Sequence, residues 1–260
     1  MTVWDKYEAR LEVNGKTRRE RALKRTKENI TNKSVSSLSS HKVLINNESQ
    51  TVTILNQRED LALKKILALP GETLVHGGLV DFANDKWLIT ELDANDEVYT
   101  SGFMQRCNYV LRWLNKEGKI IEKHCVVEDG TKYLIGEYRE RIMAIGDARF
   151  ALTIGKDEDT VELDRGRRFL IDDIDSKEVL AFEITKPNRL FNIYDNKGVF
   201  RYILNEVNLT DNDNVELRIA DYYNWKPDMT IGAKHEDKAI SLEEIIENGT
   251  KEDTDESGWL

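Results

Sequence analysis

Several short motifs in the chain have residue types that could do chemistry. Gly15-Lys16-Thr17 ends like a phosphate-binding loop, in which backbone amides and a lysine cradle phosphate oxygens. The glycine such a loop needs five positions earlier is Arg10, and no strand pattern leads into it. Ser39-Ser40-His41-Lys42 has the S-x-x-K spacing of a serine nucleophile with a lysine base. It lies in the Ser-rich stretch TNKSVSSLSSHK, without companion motifs. His124-Cys125 places a base beside a thiol in sequence, but neighbouring residues of a strand point to opposite faces and cannot bond each other. His76, Cys107, His124 and Cys125 lack the C-x-x-C or H-x3-H spacing of a metal site. Asp211 and Asp213 open like a calcium loop, yet the glycine at its sixth place is absent and its twelfth place is Tyr222. That segment is expected to be a turn. Glu91 with Asp93, Asp172 with Asp173, and Glu183 are carboxylate candidates, but a chain with 48 acids does not single out a glycosidase pair. The expectation is a protein that is not an enzyme, without catalytic residues, metal or cofactor.

One charged run is a candidate for binding. Arg18, Arg19, Arg21, Lys24 and Arg25, followed by Lys27, could hold phosphates or an acidic protein surface. The alternative is a solvated helix face. Residues 1–42 have 11 basic and 5 acidic side chains, whereas residues 232–260 have 3 basic and 9 acidic ones. The net charge of −10 argues against a protein that coats nucleic acid over its whole surface. With two cysteines, no apolar leader and no long apolar run, the chain is expected to fold in a reducing cytoplasm.

The elements that would position these residues are mainly strands. Residues 1–41 read as a basic arm, extended or weakly helical, ending in a flexible link. Residues 42–155 read as a β-barrel or sandwich: HKVLINNESQTVTIL alternates across the turn Asn46–Ser49, and short strands follow at regular spacing. REDLALKKILAL fits a short helix or a strand. GGLVDFANDKWLITELD (77–93) reads as a hairpin turning at Asn84-Asp85, with Val80, Phe82, Trp87 and Ile89 on its core face. GFMQRCNYVLRWLN (102–115) reads as a strand paired with GKIIEKHCVVED, and its Trp113 is expected to share that core; TKYLIGEY (131–138) continues the strand pattern. Residues 156–230 read as a second small β domain whose last strand is NVELRIADYYNW, with an immunoglobulin-like sandwich as the candidate fold although the Cys–Trp–Cys spacing is missing. Residues 231–260 read as an acidic tail with one short helix capped by Ser241.

The stretch GLVDFANDKWLITELDANDEVYTSGFMQRCNYVLRW resembles the small β-barrel neck proteins of tailed bacteriophages, the head-completion, connector or stopper class. Gly78, Trp87, Leu88, Ile89, Asp93, Cys107, Asn108 and Trp113 occupy the positions that carry the resemblance, which covers about residues 40–145. Gly78, Trp87, Ile89 and Trp113 would be structural anchors of the hairpin. The resemblance implies a homo-oligomeric ring of six or twelve copies in the virion, assembled in the host cytoplasm. Its partners would be a portal or adaptor protein and tail proteins, with DNA sliding through the channel unread. A tail or baseplate component is the first alternative, and a carbohydrate- or cell-wall-active β enzyme the second.

Overall fold

The computed structural model describes residues 2–4, 7, 15–57, 60–129, 149–172 and 179–225. Helix α1 (Arg18–Ser36) opens on a capping box: the Thr17 side chain accepts from the Glu20 amide, and the Glu20 carboxylate accepts from the Thr17 amide. Leu23, Lys27 and Ile30 are half-buried and Ser34 is buried. These four lie one helical turn apart, and this single stripe faces the body of the protein. The expected weak arm is thus a full helix, and its link to the first strand is only Ser37–Ser39.

Six strands follow: β1 (Ser40–Ile45), β2 (Glu48–Asn56), β3 (Leu63–Ala68), β4 (Leu79–Phe82), β5 (Asp85–Asp93) and β6 (Ser101–Arg106). They form a closed barrel in the order β1-β2-β3-β6-β5-β4, shut by pairing of Leu44 with Asp81 and Ile45 with Val80. Two hairpins turn on two residues each, Asn46-Asn47 and Ala83-Asn84, all four with positive φ. This is the turn geometry whose twist matches the strands. The second hairpin therefore turns one residue earlier than Asn84-Asp85. REDLALKKILAL contributes strand β3, with Ile66 and Ala68 buried. Val43, Ile45, Val52, Ile54, Ile66, Val80, Trp87, Ile89 and Met104 fill the barrel, and Phe82 packs against them. A bulge between Ile89 and Glu91 bends β5 where it faces Gly102, whose Cβ would lie 2.4 Å from the Glu91 carbonyl oxygen.

The chain leaves the barrel at Cys107-Asn108 and builds a second module. Its strands are β7 (Tyr109–Leu114), β8 (Ile120–Asp129), β9 (Arg149–Gly155), β10 (Arg168–Asp172), β11 (Val179–Asn188), β12 (Ile193–Tyr194) and β13 (Lys197–Val207). The order is β10-β11-β13-β9-β8-β7, with β12 paired to β13. The sheet curls until its edges meet: Tyr109 Oη donates to the Leu170 carbonyl at 3.3 Å, and Trp113 packs edge-on to Phe169. The fold is mainly β, as expected, with two barrel-like sheets. The second sheet takes β7, β8 and β9 from the region expected to belong to the first domain. Both sheets lie within one compact unit, Met1–Trp225. An immunoglobulin-like pair of facing sheets does not describe this single curled sheet.

Trp87 and Trp113 are both buried but in different cores, because the strand expected to run from Gly102 through Trp113 breaks between β6 and β7. NVELRIADYYNW, expected to be a strand, is a compact loop with one bridge, Asn214 to Ile219, ending in the single-turn helix α2 (Tyr222–Trp225). Arg218 and Asp221 adopt positive φ there and interrupt any extended run. TKYLIGEY (131–138) and the acidic tail with its short helix lie outside the described residues.

Candidate functional site

The most constrained place in the molecule is the seam where the barrel meets the second sheet. Strand β5 is buried on both faces there. Trp87 and Ile89 point into the barrel, while Leu88 points out of it and is still only 1 % exposed. Its cover comes from the second sheet, where a Cβ on Gly155 would touch Leu88 Cδ1 at 3.5 Å. Three glycines interlock along this line. A Cβ on Gly77 would lie 1.9 Å from the Gly198 carbonyl oxygen, and one on Gly155 would lie 2.5 Å from the Gly77 carbonyl oxygen. The Gly198 oxygen is itself held by the Lys156 amide at 2.9 Å. Gly77 donates its amide to Ile89 O, and Gly78 accepts the Ile89 amide, so the hairpin's first turn is stitched to β5.

Side chains close the seam at both ends. His76 is buried, stacks on Tyr194 at 5.8 Å between ring centres, and places Nε2 3.0 Å from the Thr90 carbonyl oxygen. A carbonyl oxygen only accepts, so Nε2 carries the proton in that contact. At the crossover, Asn108 mimics a peptide unit: its amide nitrogen donates to Val127 O at 2.7 Å, and its oxygen accepts from Val127 N at 2.8 Å. Gln105 adds a bond to Glu128 at 2.6 Å, and the Cys107 amide donates to Lys86 O at 2.8 Å.

Two clefts of about 440 Å³ each open beside the seam and share Lys86 and His124. One is also lined by Cys107, Asn108, Arg112 and Arg218, the other by His76, Lys123, Lys156 and Lys197. Lys86 pairs with Asp81, and Lys156 donates to Asn196. Burial alone would lower the Lys123 ammonium, but Asp157 at 2.6 Å and Asp159 at 2.9 Å raise it above its ordinary value. Burial and the nearby Lys86 push the His124 imidazole down. Burial pushes the Cys107 thiol up to about 12, and that of Cys125 up further. Neither sulfur is a thiolate at neutral pH, so neither is an activated nucleophile. His124 lines both clefts, whereas its β8 neighbour Cys125 is fully buried in the second module's core and donates to Tyr109 O, the opposite-face arrangement expected of strand neighbours.

Asp213 is part of a scaffold. Arg168 grips it through Nη2 at 2.8 Å and Nη1 at 3.0 Å, and reaches Asp221 at 2.9 Å. The Asp213 carboxylate also accepts from the Thr210 and Asp221 amides, each at 2.8 Å. Its oxygens are thereby engaged, and the loop after β13 is tied to β10. Nothing in the spacing of residues 45 positions apart announced this network. The sequence gives no sign of the seam glycines beyond the Gly77-Gly78 pair that opens the hairpin. A lone glycine at a strand end was the available signal for Gly155 and Gly198.

The basic residues of α1 are exposed except for the half-buried Lys27. Arg19 contacts Glu97 of the β5–β6 loop at 2.6 Å, and Arg21 Nε donates to the Thr17 carbonyl. Arg18, Arg21 and Arg25 lie on the face opposite the Leu23–Ser34 stripe, with Lys24 at its flank. Gly78, Trp87 and Ile89 sit together in the barrel hairpin, and Trp113 lies in the second module's core. Thr17 spends its hydroxyl on the helix cap, in keeping with a turn rather than a phosphate loop.

No curated protein and no solved structure matches the chain. A family model matches residues 12–106, a span that takes in α1 and all six barrel strands and stops at the crossover. Over that part the chain is similar to the YomX N-terminal domain, a phage-associated family, which points to a phage protein.

Proposed function

We propose that this protein is a non-enzymatic structural component of the virion of a tailed bacteriophage. Its place would be the neck, in a ring of six or twelve copies between portal and tail, around the DNA channel. The carrying observation is the coincidence of the phage-associated match with helix α1 and the closed barrel, whose last strand ends at Arg106. The glycine seam supports the reading. It locks a second β module to that barrel with backbone-to-backbone contact, as a part that transmits force between neighbours requires. The protonated thiols of half-buried Cys107 and buried Cys125, and the ion pairs of Lys86 with Asp81 and Lys123 with Asp157, are better suited to holding shape than to bond-making.

Size-exclusion chromatography with light scattering, on the protein alone and mixed with isolated portal and tail fractions, tests the assignment. A species of six or twelve times 30.1 kDa, or its appearance on adding the portal fraction, is the expected result. Addition to tail fractions alone would move the protein to the tail or baseplate. A monomer under every condition that degrades cell-wall polymer would overturn the structural reading.

A further inference from the structure

The outward face of α1 has a composition that the fold does not explain. It carries Arg18, Arg21, Arg25, Asn29 and Asn32, all exposed, with Ala22 and Glu28 at its edges. The helix holds seven basic and two acidic side chains in 19 residues. Like charges three and four positions apart repel one another, as Arg18 with Arg21 and Arg21 with Arg25 do here. A helix that needed only to cover the barrel would use its Leu23 and Ile30 stripe and mix charges elsewhere. Three of its four arginines are kept on one side although the chain as a whole carries a charge of −10.

We infer that this face docks on the phosphate backbone of duplex DNA, without reading bases. Arginine forks fit phosphate oxygens in pairs, and asparagine amides are common partners of phosphate. Three arginines one turn apart, with two asparagines continuing the row, make a line of donors along a helix about 28 Å long. That length matches about 8 base pairs at 3.4 Å each. An acidic protein partner fits less well, because protein interfaces centre on aromatic and apolar side chains. This face has none larger than Ala22. Thr17 and Glu20 fix the N-terminal turn that presents Arg18 and Arg21, and Arg19, off the face, anchors the helix to Glu97. The setting rests on the neck reading, in which DNA passes the protein; the binding itself is measurable without it.

Fluorescence anisotropy of a labelled 30-base-pair duplex, titrated with the full chain across a salt series, tests the inference. Each neutralised phosphate adds about 0.9 to the slope of log affinity against log salt. The triple variant R18Q/R21Q/R25Q should lose about 2.7 from that slope. The R19Q variant should keep the slope, and the triple lysine variant should retain it because the charge remains. Circular dichroism verifies that helix content is unchanged in each. An unchanged slope in the triple glutamine variant overturns the inference. So does displacement of the duplex by polyglutamate at equal charge, which would mark an acidic protein as the partner. Absence of the protein from phage particles would remove the neck reading and leave this result standing.

Discussion

Gly77→Ala should be among the most damaging single methyl additions in this protein, and its cost can be worked from the seam. Gly77 has φ +78°, a left-handed conformation that costs an alanine about 1–2 kcal/mol. The added Cβ would also lie 1.9 Å from the Gly198 carbonyl oxygen and 2.7 Å from its carbon. Overpacking costs about 1–3 kcal/mol, and the upper end applies because the obstacle is backbone, fixed by the Lys156 amide. The total is about 3–5 kcal/mol, a large part of the about 5–15 kcal/mol that holds a typical protein folded. Gly71→Ala is the internal control. Its φ is +96°, yet nothing lies within 4 Å of the new methyl, so only the backbone cost of about 1–2 kcal/mol applies. With a urea slope of about 2 kcal/mol per molar, the two midpoints should differ by about 1–1.5 M. Equal midpoints would refute the claim that the two modules are locked at this point.

Five further substitutions probe other parts of the fold. Arg168→Met leaves the Asp213 carboxylate, whose side chain is 1 % exposed, without its cation. A loss of about 3–5 kcal/mol is expected, with hydrogen exchange rising first in residues 208–225. Burial alone would raise the Asp213 carboxyl, but the Asp221 and Thr210 amides and Arg168 outweigh it and hold it below its ordinary value. A depressed carboxyl contributes stability above its unfolded pKa that is lost as pH falls through the folded one. Acid titration of stability below about pH 4 should therefore be flatter in Asp213→Asn than in the wild type. Trp87→Ala and Trp113→Ala should each cost about 3–5 kcal/mol, but in different modules. Hydrogen exchange should rise first in the barrel for Trp87→Ala and in the second sheet for Trp113→Ala, and one shared pattern would contradict the two-core arrangement. Thr17→Ala should cost α1 about 1 kcal/mol, read as faster exchange of its first-turn amides.

The barrel was largely legible in the sequence because its hairpin alternates apolar and polar residues around turns that favour Asn. Val80, Phe82, Trp87 and Ile89 all face the core that alternation assigns them. The Trp113 error has a local cause. Residues 102–114 read as one apolar strand, and nothing in their pattern reveals that Asn108 ends one sheet's register by bonding Val127 as a backbone would. Low apolar content makes residues 18–36 read as a weak arm, yet Thr17-x-x-Glu20 is a capping box visible in the sequence. The seam and the Arg168 network were not legible, since both join residues whose proximity exists only after the chain has curled.

Quantitative mass spectrometry of gradient-purified phage particles from cells carrying this gene tests whether the protein is a virion component. The intact chain is expected in DNA-filled particles at six or twelve copies, retained through high-salt washing. Abundance in the lysate with absence from the particles would contradict it.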